Sequence, residues 1–105
     1  MKPCCLKLLA VLAGLLFYGN MIAEEAPSVE KGRQLFNSTE FAGAVSGKSC
    51  SSCHPGGSGL QFAWQNPYLA AQVNNCILGP LRGKPLDEES SGMQSMLLYI
   101  RSLKK

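Results

Sequence analysis

The chain has 105 residues, 46% of them hydrophobic and 16% charged, with a formal net charge of +3. That length allows one small domain and leaves a marginal apolar core that usually needs a staple. Lys2 and Lys7 precede any acidic residue, and without them eight basic residues face seven acidic ones, a charge of +1. So weak a basic balance argues against a nucleic-acid partner.

Lys2 and Lys7 also give the chain a positive start, and Leu8 to Tyr18 is an apolar run broken only by Gly14. Met21-Ile22-Ala23 then offers a cleavage site before Glu24-Glu25. This pattern predicts a secretory signal peptide over residues 1–23 and a periplasmic or otherwise exported domain over 24–105. The run is short for a membrane span. Met21 is large for its place, which keeps an uncleaved membrane anchor as the alternative. Cys4 and Cys5 lie before the apolar run, the wrong order for a lipid-bearing cysteine, and would leave with the signal.

After a lead-in at Glu24 to Pro27, Ser28 is a good N-cap and Glu30 suits a first turn, so a short helix is expected over Val29 to Phe36. Gly32 weakens that helix slightly. Its use is either close approach of another helix or none beyond a place near a terminus. Asn37 to Lys48 reads as a loop holding one apolar cluster, Phe41-Ala42.

Cys50-Ser51-Ser52-Cys53-His54 follows. C-x-x-C-H is the attachment signature of c-type haem. Two thiols at that spacing add across the two vinyl groups of one porphyrin, and the next residue, His54, is held as an axial ligand of the iron. A zinc site needs four protein ligands, or three and a water. Here His54 is the only histidine, and Cys4, Cys5 and Cys76 are the only other cysteines. A redox C-x-x-C expects a βαβ context, which the pattern does not offer. A covalently held haem c, large, flat and mostly apolar, would also be the missing staple.

Pro55-Gly56-Gly57-Ser58-Gly59 ends any helix and turns the chain. Leu60, Phe62 and Trp64 alternate with Gln61 and Ala63, as a short extended run or as a lining for a cofactor pocket. Asn66-Pro67 predicts a helix start, with Asn as cap and Pro at the first helical position. Leu69, Val73, Cys76 and Ile77 share one face of it, and Gly79-Pro80 stops it. Leu81 to Leu86 is irregular. Asp87, Ser90 or Ser91 can cap a last helix whose stripe is Met93, Met96, Leu97, Ile100 and Leu103. Arg101, Lys104 and Lys105 suit its C-terminal end.

With these pieces in place, residues 24–105 resemble a small monohaem cytochrome c. Gly32-Arg33-Gln34-Leu35-Phe36 looks like the family's N-terminal helix, and Tyr99-Ile100-Arg101-Ser102-Leu103 like its C-terminal helix, whose aromatic packs across the first helix near the glycine. The resemblance implies an all-α, cytochrome c-like fold of three to four short helices around one covalent haem. The interval from Phe36 to Cys50 is longer than the family's, so Asn37 to Lys48 looks like an insertion. A narrower resemblance joins Asn75-Cys76, Gly83-Lys84-Pro85-Leu86, Ser91-Gly92-Met93 and Tyr99-Ile100 to haem modules of sulfur-oxidation cytochromes such as thiosulfate dehydrogenase. In those modules the corresponding cysteine can be an axial ligand. The chain departs from them in a shorter interval from His54 to Cys76, in Gly92 where an acidic residue is common, and in a single haem motif. These departures bear on catalysis more than on haem.

Iron held by His54 has one position left, and Cys76, Met93 and Met96 are the candidates. Cys76 is the leftover thiol once Cys50 and Cys53 are used, and an odd cysteine in an exported chain is a ligand, an intermolecular disulfide or an inert buried thiol. Cys76 is the preferred ligand, with Met93 the alternative, because a helical methionine stripe is more often core. A single haem without an acid–base pair points to a one-electron carrier for redox partner proteins rather than an enzyme. The alternative is a haem subunit or enzyme of thiosulfate-type oxidation, in association with a membrane or sulfur-oxidation complex. Lys48, Arg82 and Lys84 are candidates for the docking edge, or simply a solvated face.

Overall fold

The computed structural model describes residues 25–105, so the apolar run, Cys4 and Cys5 lie outside the described residues. The chain is all-α, and no strand occurs among those residues. Helices α1 (Val29–Phe36), α2 (Cys50–Cys53), α3 (Leu69–Leu78) and α4 (Ser91–Ser102) are joined by loops that carry three short 3-10 turns. None of the described helices is long and apolar enough to cross a membrane.

Helix α1 begins as its cap dictates, for the Ser28 hydroxyl accepts from Lys31 N at 3.0 Å. Ser28 N in turn donates to the hydroxyl of Ser95, in the middle of α4, at 3.1 Å. The two helices meet at small residues. A Cβ on Gly32 would stand 2.0 Å from the Ser95 carbonyl oxygen and 2.7 Å from Tyr99 Cβ. Close approach is therefore the use of this glycine. Phe36 and Tyr99 pack beside the crossing, ring centroids 5.1 Å apart and tilted by 58°.

Helix α4 is capped by Ser90, whose hydroxyl accepts from Met93 N at 3.2 Å. It buries Met93, Met96, Leu97, Tyr99 and Ile100, so the expected stripe is the core face, with Leu103 partly buried at its end. Helix α3 buries Leu69, Val73 and Ile77 on the expected face. Its start differs from the expectation. Asn66 Oδ1 accepts from Tyr68 N at 2.8 Å and closes a local turn, so Pro67 lies in that turn and the helix opens at Leu69. The competing Asx turn is the physical reason.

The loops are anchored at few points. Asn74 of α3 brackets Leu86, donating to its carbonyl at 2.9 Å and accepting from its N–H at 2.8 Å. Leu60 to Trp64 is not extended: a 3-10 turn spans Ala63–Gln65, and Phe62 is 61% exposed. Trp64 lies beneath the Lys104 ammonium, 3.9 Å from the ring centroid. Its Nε1–H is buried without an acceptor among the described residues.

Candidate haem site

The Cys50–His54 motif folds as one helical turn and its exit. Ser52 Oγ accepts from Ser49 N at 2.9 Å, which fixes the entry. His54 N donates to the Cys50 carbonyl at 3.0 Å, and the chain then passes into a 3-10 turn over Pro55–Gly57. Three residues apart on that turn, Cys50 and Cys53 share a face. Cys50 is half-buried and Cys53 is exposed.

His54 is oriented by the glycine-rich segment that follows. Its Nδ1 lies 2.9 Å from the Ser58 carbonyl oxygen. A carbonyl only accepts, so Nδ1 carries the proton and Nε2 keeps its lone pair for a metal. Gly59 makes the turn close: it has φ +84°, and a Cβ there would stand 3.6 Å from Nδ1. Gly57, φ +82°, brings the same segment onto the end of α4, where a Cβ would stand 2.5 Å from Leu103 Cδ1.

Cys50, Cys53 and His54 line an open, apolar cavity of about 140 Å³. Phe36, Met96 and Ile100 line it from α1 and α4, and Leu69, Val73 and Cys76 from α3. Thus the sequence motif and Cys76, 22 positions beyond His54, reach the same space.

The sulfur candidates separate. Both methionines are fully buried, but Met96 lines the cavity and Met93 does not. The sequence did not distinguish them, because the two share a stripe and differ by one turn. The wall residues that sequence reasoning passed over are Ser49, Gln72, Pro80 and Leu81. Gln72 and Cys76 are i and i+4 on α3, a spacing that could have placed Gln72 there.

Burial, and after it the neighbouring Cys76 and Cys53 thiols, push the Cys50 thiol from 9.0 up to about 11. A buried thiol resists ionisation because the charged form loses its water. Among the described residues, no group of three or more His, Cys, Asp or Glu side chains is placed to hold a metal ion between them.

The donor set and the cavity fit a haem. Two thiols on one helical face suit two thioether links, an imidazole with Nε2 free suits an axial ligand, and apolar walls suit a porphyrin. No protein-family model matches the chain, and comparison with curated proteins and with solved structures gave no match.

Proposed function

We propose that the protein is an exported, single-haem c-type cytochrome that passes one electron at a time between redox partners. One observation carries this reading: Cys50, Cys53 and a His54 fixed with Nε2 available border one open apolar cavity. The cytochrome c-like fold belongs to the same proposal and is supported by the crossing of the first and last helices at Gly32.

In this reading Cys50 and Cys53 would hold haem c covalently, and His54 Nε2 would ligate its iron. A haem bound there supplies a one-electron iron couple. The protein's part is to set its environment. Ser58 keeps the imidazole in one tautomer through Nδ1. Phe36, Leu69, Val73, Met96 and Ile100 exclude water. Cys76, which lines the same cavity, would supply the second iron ligand. A thiolate there favours ferric iron and lowers the potential, since axial ligand identity is a main lever on haem potentials. Among the described residues no aspartate or glutamate lines the cavity.

The test is a pyridine haemochrome spectrum and an intact mass of the exported protein. The expected result is one haem per chain, on a peptide containing Cys50 and Cys53. A colourless protein with the mass of the bare polypeptide overturns the proposal. Prompt reduction by thiosulfate, with turnover, would replace the carrier reading by that of a sulfur-oxidising enzyme.

A further inference from the structure

The carbonyl that fixes His54 is itself held by residues just past the end of α4. Residues 55–65 leave the motif as a series of tight turns. Gly57 N donates to the His54 carbonyl at 2.9 Å, Ser58 N to that of Pro55 at 3.0 Å, Leu60 N to that of Gly57 at 3.1 Å and Ala63 N to that of Leu60 at 3.0 Å. Every one of these bonds closes a turn of 3-10 type, which leaves the segment little slack. It serves the cavity twice. The Ser58 carbonyl receives His54 Nδ1–H, and Leu60 lines the wall.

Leu103 and Lys104 grip this segment on both sides of Ser58. Gly57 is buried, and Leu103 fills the place of its missing side chain, since a Cβ there would stand 2.5 Å from Leu103 Cδ1. Further along, Trp64 lies under the Lys104 ammonium, 3.9 Å from the ring centroid. Tryptophan is the best of the aromatic rings at attracting a cation to its face. No hydrogen bond fixes the indole, for Nε1–H is buried without an acceptor among the described residues. The ion pairs among those residues are Lys31 with Glu25 and Arg33 with Glu30, so no carboxylate draws Lys104 off the ring.

We propose that Leu103 and Lys104 are positioning residues for His54. By holding Gly57 and Trp64 they keep the Ser58 carbonyl on Nδ1–H, and so keep Nε2 unprotonated. The end of α4 then acts on the imidazole without touching it. The use of a free Nε2 rests on the haem reading, whereas the brace and the tautomer stand without it. A hydrogen bond from Nδ1–H to a carbonyl makes an imidazole a more basic metal ligand. Loosening the brace would weaken that bond, make His54 a poorer donor to ferric iron and raise the potential.

The experiment uses the exported full chain, 15N-labelled and reduced, with haem content measured on the same sample. His54 is the only histidine, so its ring signals are assigned without ambiguity. Exchange of the Nδ1 proton with solvent requires its bond to Ser58 to open. A cation–π contact at an exposed site is worth a factor of about two to five, so Lys104→Gln should speed that exchange by up to this factor. Lys104→Arg, which keeps a cation over the ring, should restore the parent rate, and Lys105→Gln should match the parent. Leu103→Ala should act in the same direction as Lys104→Gln. The haem potential should rise in Lys104→Gln and stay at the parent value in Lys105→Gln. An exchange rate unchanged in both Lys104→Gln and Leu103→Ala overturns the proposal. So does an equal effect of Lys105→Gln, which would make the cause net charge. A potential that stays put while exchange accelerates overturns the step from brace to iron. A colourless protein whose ring proton sits on Nδ1 in the parent and moves towards Nε2 in Lys104→Gln would overturn the haem reading and leave the brace standing.

Discussion

Replacing Gly32 by alanine tests the crossing that carries the fold. The added Cβ would lie 2.0 Å from the Ser95 carbonyl oxygen, against an ordinary contact of at least 3.4 Å, so α1 must withdraw by about 1.4 Å. Backbone, not a flexible side chain, stands in the way. Alanine gains about 1 kcal/mol in helix propensity. Against that, overpacking costs about 1–3 kcal/mol, loosening the Phe36–Tyr99 pair up to about 1.5, and stretching the Ser28–Ser95 hydrogen bond about 1. The net loss is about 3 kcal/mol. In a domain of this size each kcal/mol lowers the melting temperature by about 4–8 °C, so a fall of roughly 12–24 °C is expected in thermal melts followed by far-ultraviolet circular dichroism. The haem spectrum should broaden as well, because Phe36 of α1 and Met96 and Ile100 of α4 border the cavity. An unchanged or raised melting temperature would refute the argument that the helices touch at this residue.

Three further outcomes are expected. Electron paramagnetic resonance of the oxidised protein should show a low-spin His/thiolate signature that disappears in Cys76→Ala and survives in Met93→Leu, whose side chain lies off the cavity; an unchanged spectrum in Cys76→Ala discards the thiolate ligand. In the haem-free chain, iodoacetamide at neutral pH should modify exposed Cys53 well before Cys50, whose thiol is pushed up to about 11. The folded chain then keeps a proton on Cys50 that the unfolded chain gives up near 9.0, so this contribution to stability is complete below pH 9 and is lost as pH rises towards 11; urea melts of the haem-free chain at pH 8 and pH 10.5 should differ in that direction, and equal midpoints would contradict it. Asn74→Ala should cost about 1–3 kcal/mol, since it strips both backbone partners from Leu86; a loss under 0.5 kcal/mol in the same melts would mean that water replaces both bonds.

How far the chain could be read in advance depended on whether the relevant physics was local. Helix α1 was legible from residue 28 to residue 36 because its cap, acidic first turn and end are all near neighbours. The stripe of α4 was legible for the same reason, being a single period along one element. The start of α3 was misplaced because Asn66 has two local options, a helix cap and an Asx turn, and it makes the second. The division between Met93 and Met96 was hidden, since both satisfy the same period and only the position of α3 decides which of them meets the cavity. The bonds from Val45 N and Ser46 N to the Leu81 carbonyl and from Lys84 N to the Ala42 carbonyl left no sequence signal, because they run backbone to backbone across about forty residues.

The case for a covalent cofactor also follows from what the core lacks. The buried apolar set is Phe36, Phe41, Leu69, Val73, Ile77, Leu81 and the face of α4. Several of these border the cavity instead of closing over it. An open apolar space of that kind forfeits dispersion contacts and leaves hydrocarbon against water, in a domain too small to offset the loss elsewhere. A flat apolar group filling it would restore those contacts. Two thioether links on α2 would tie that short helix, which buries none of its own residues, to the walls supplied by α1, α3 and α4. The stability of the chain and its redox chemistry would then share one cause. Unfolding of the haem-loaded protein should begin at α3, which lacks the close backbone crossing that joins α1 to α4 at Gly32. Hydrogen exchange that opens the amides of 70–78 ahead of those in α1 and α4 is the expected order, and early opening of α1 would set this account aside.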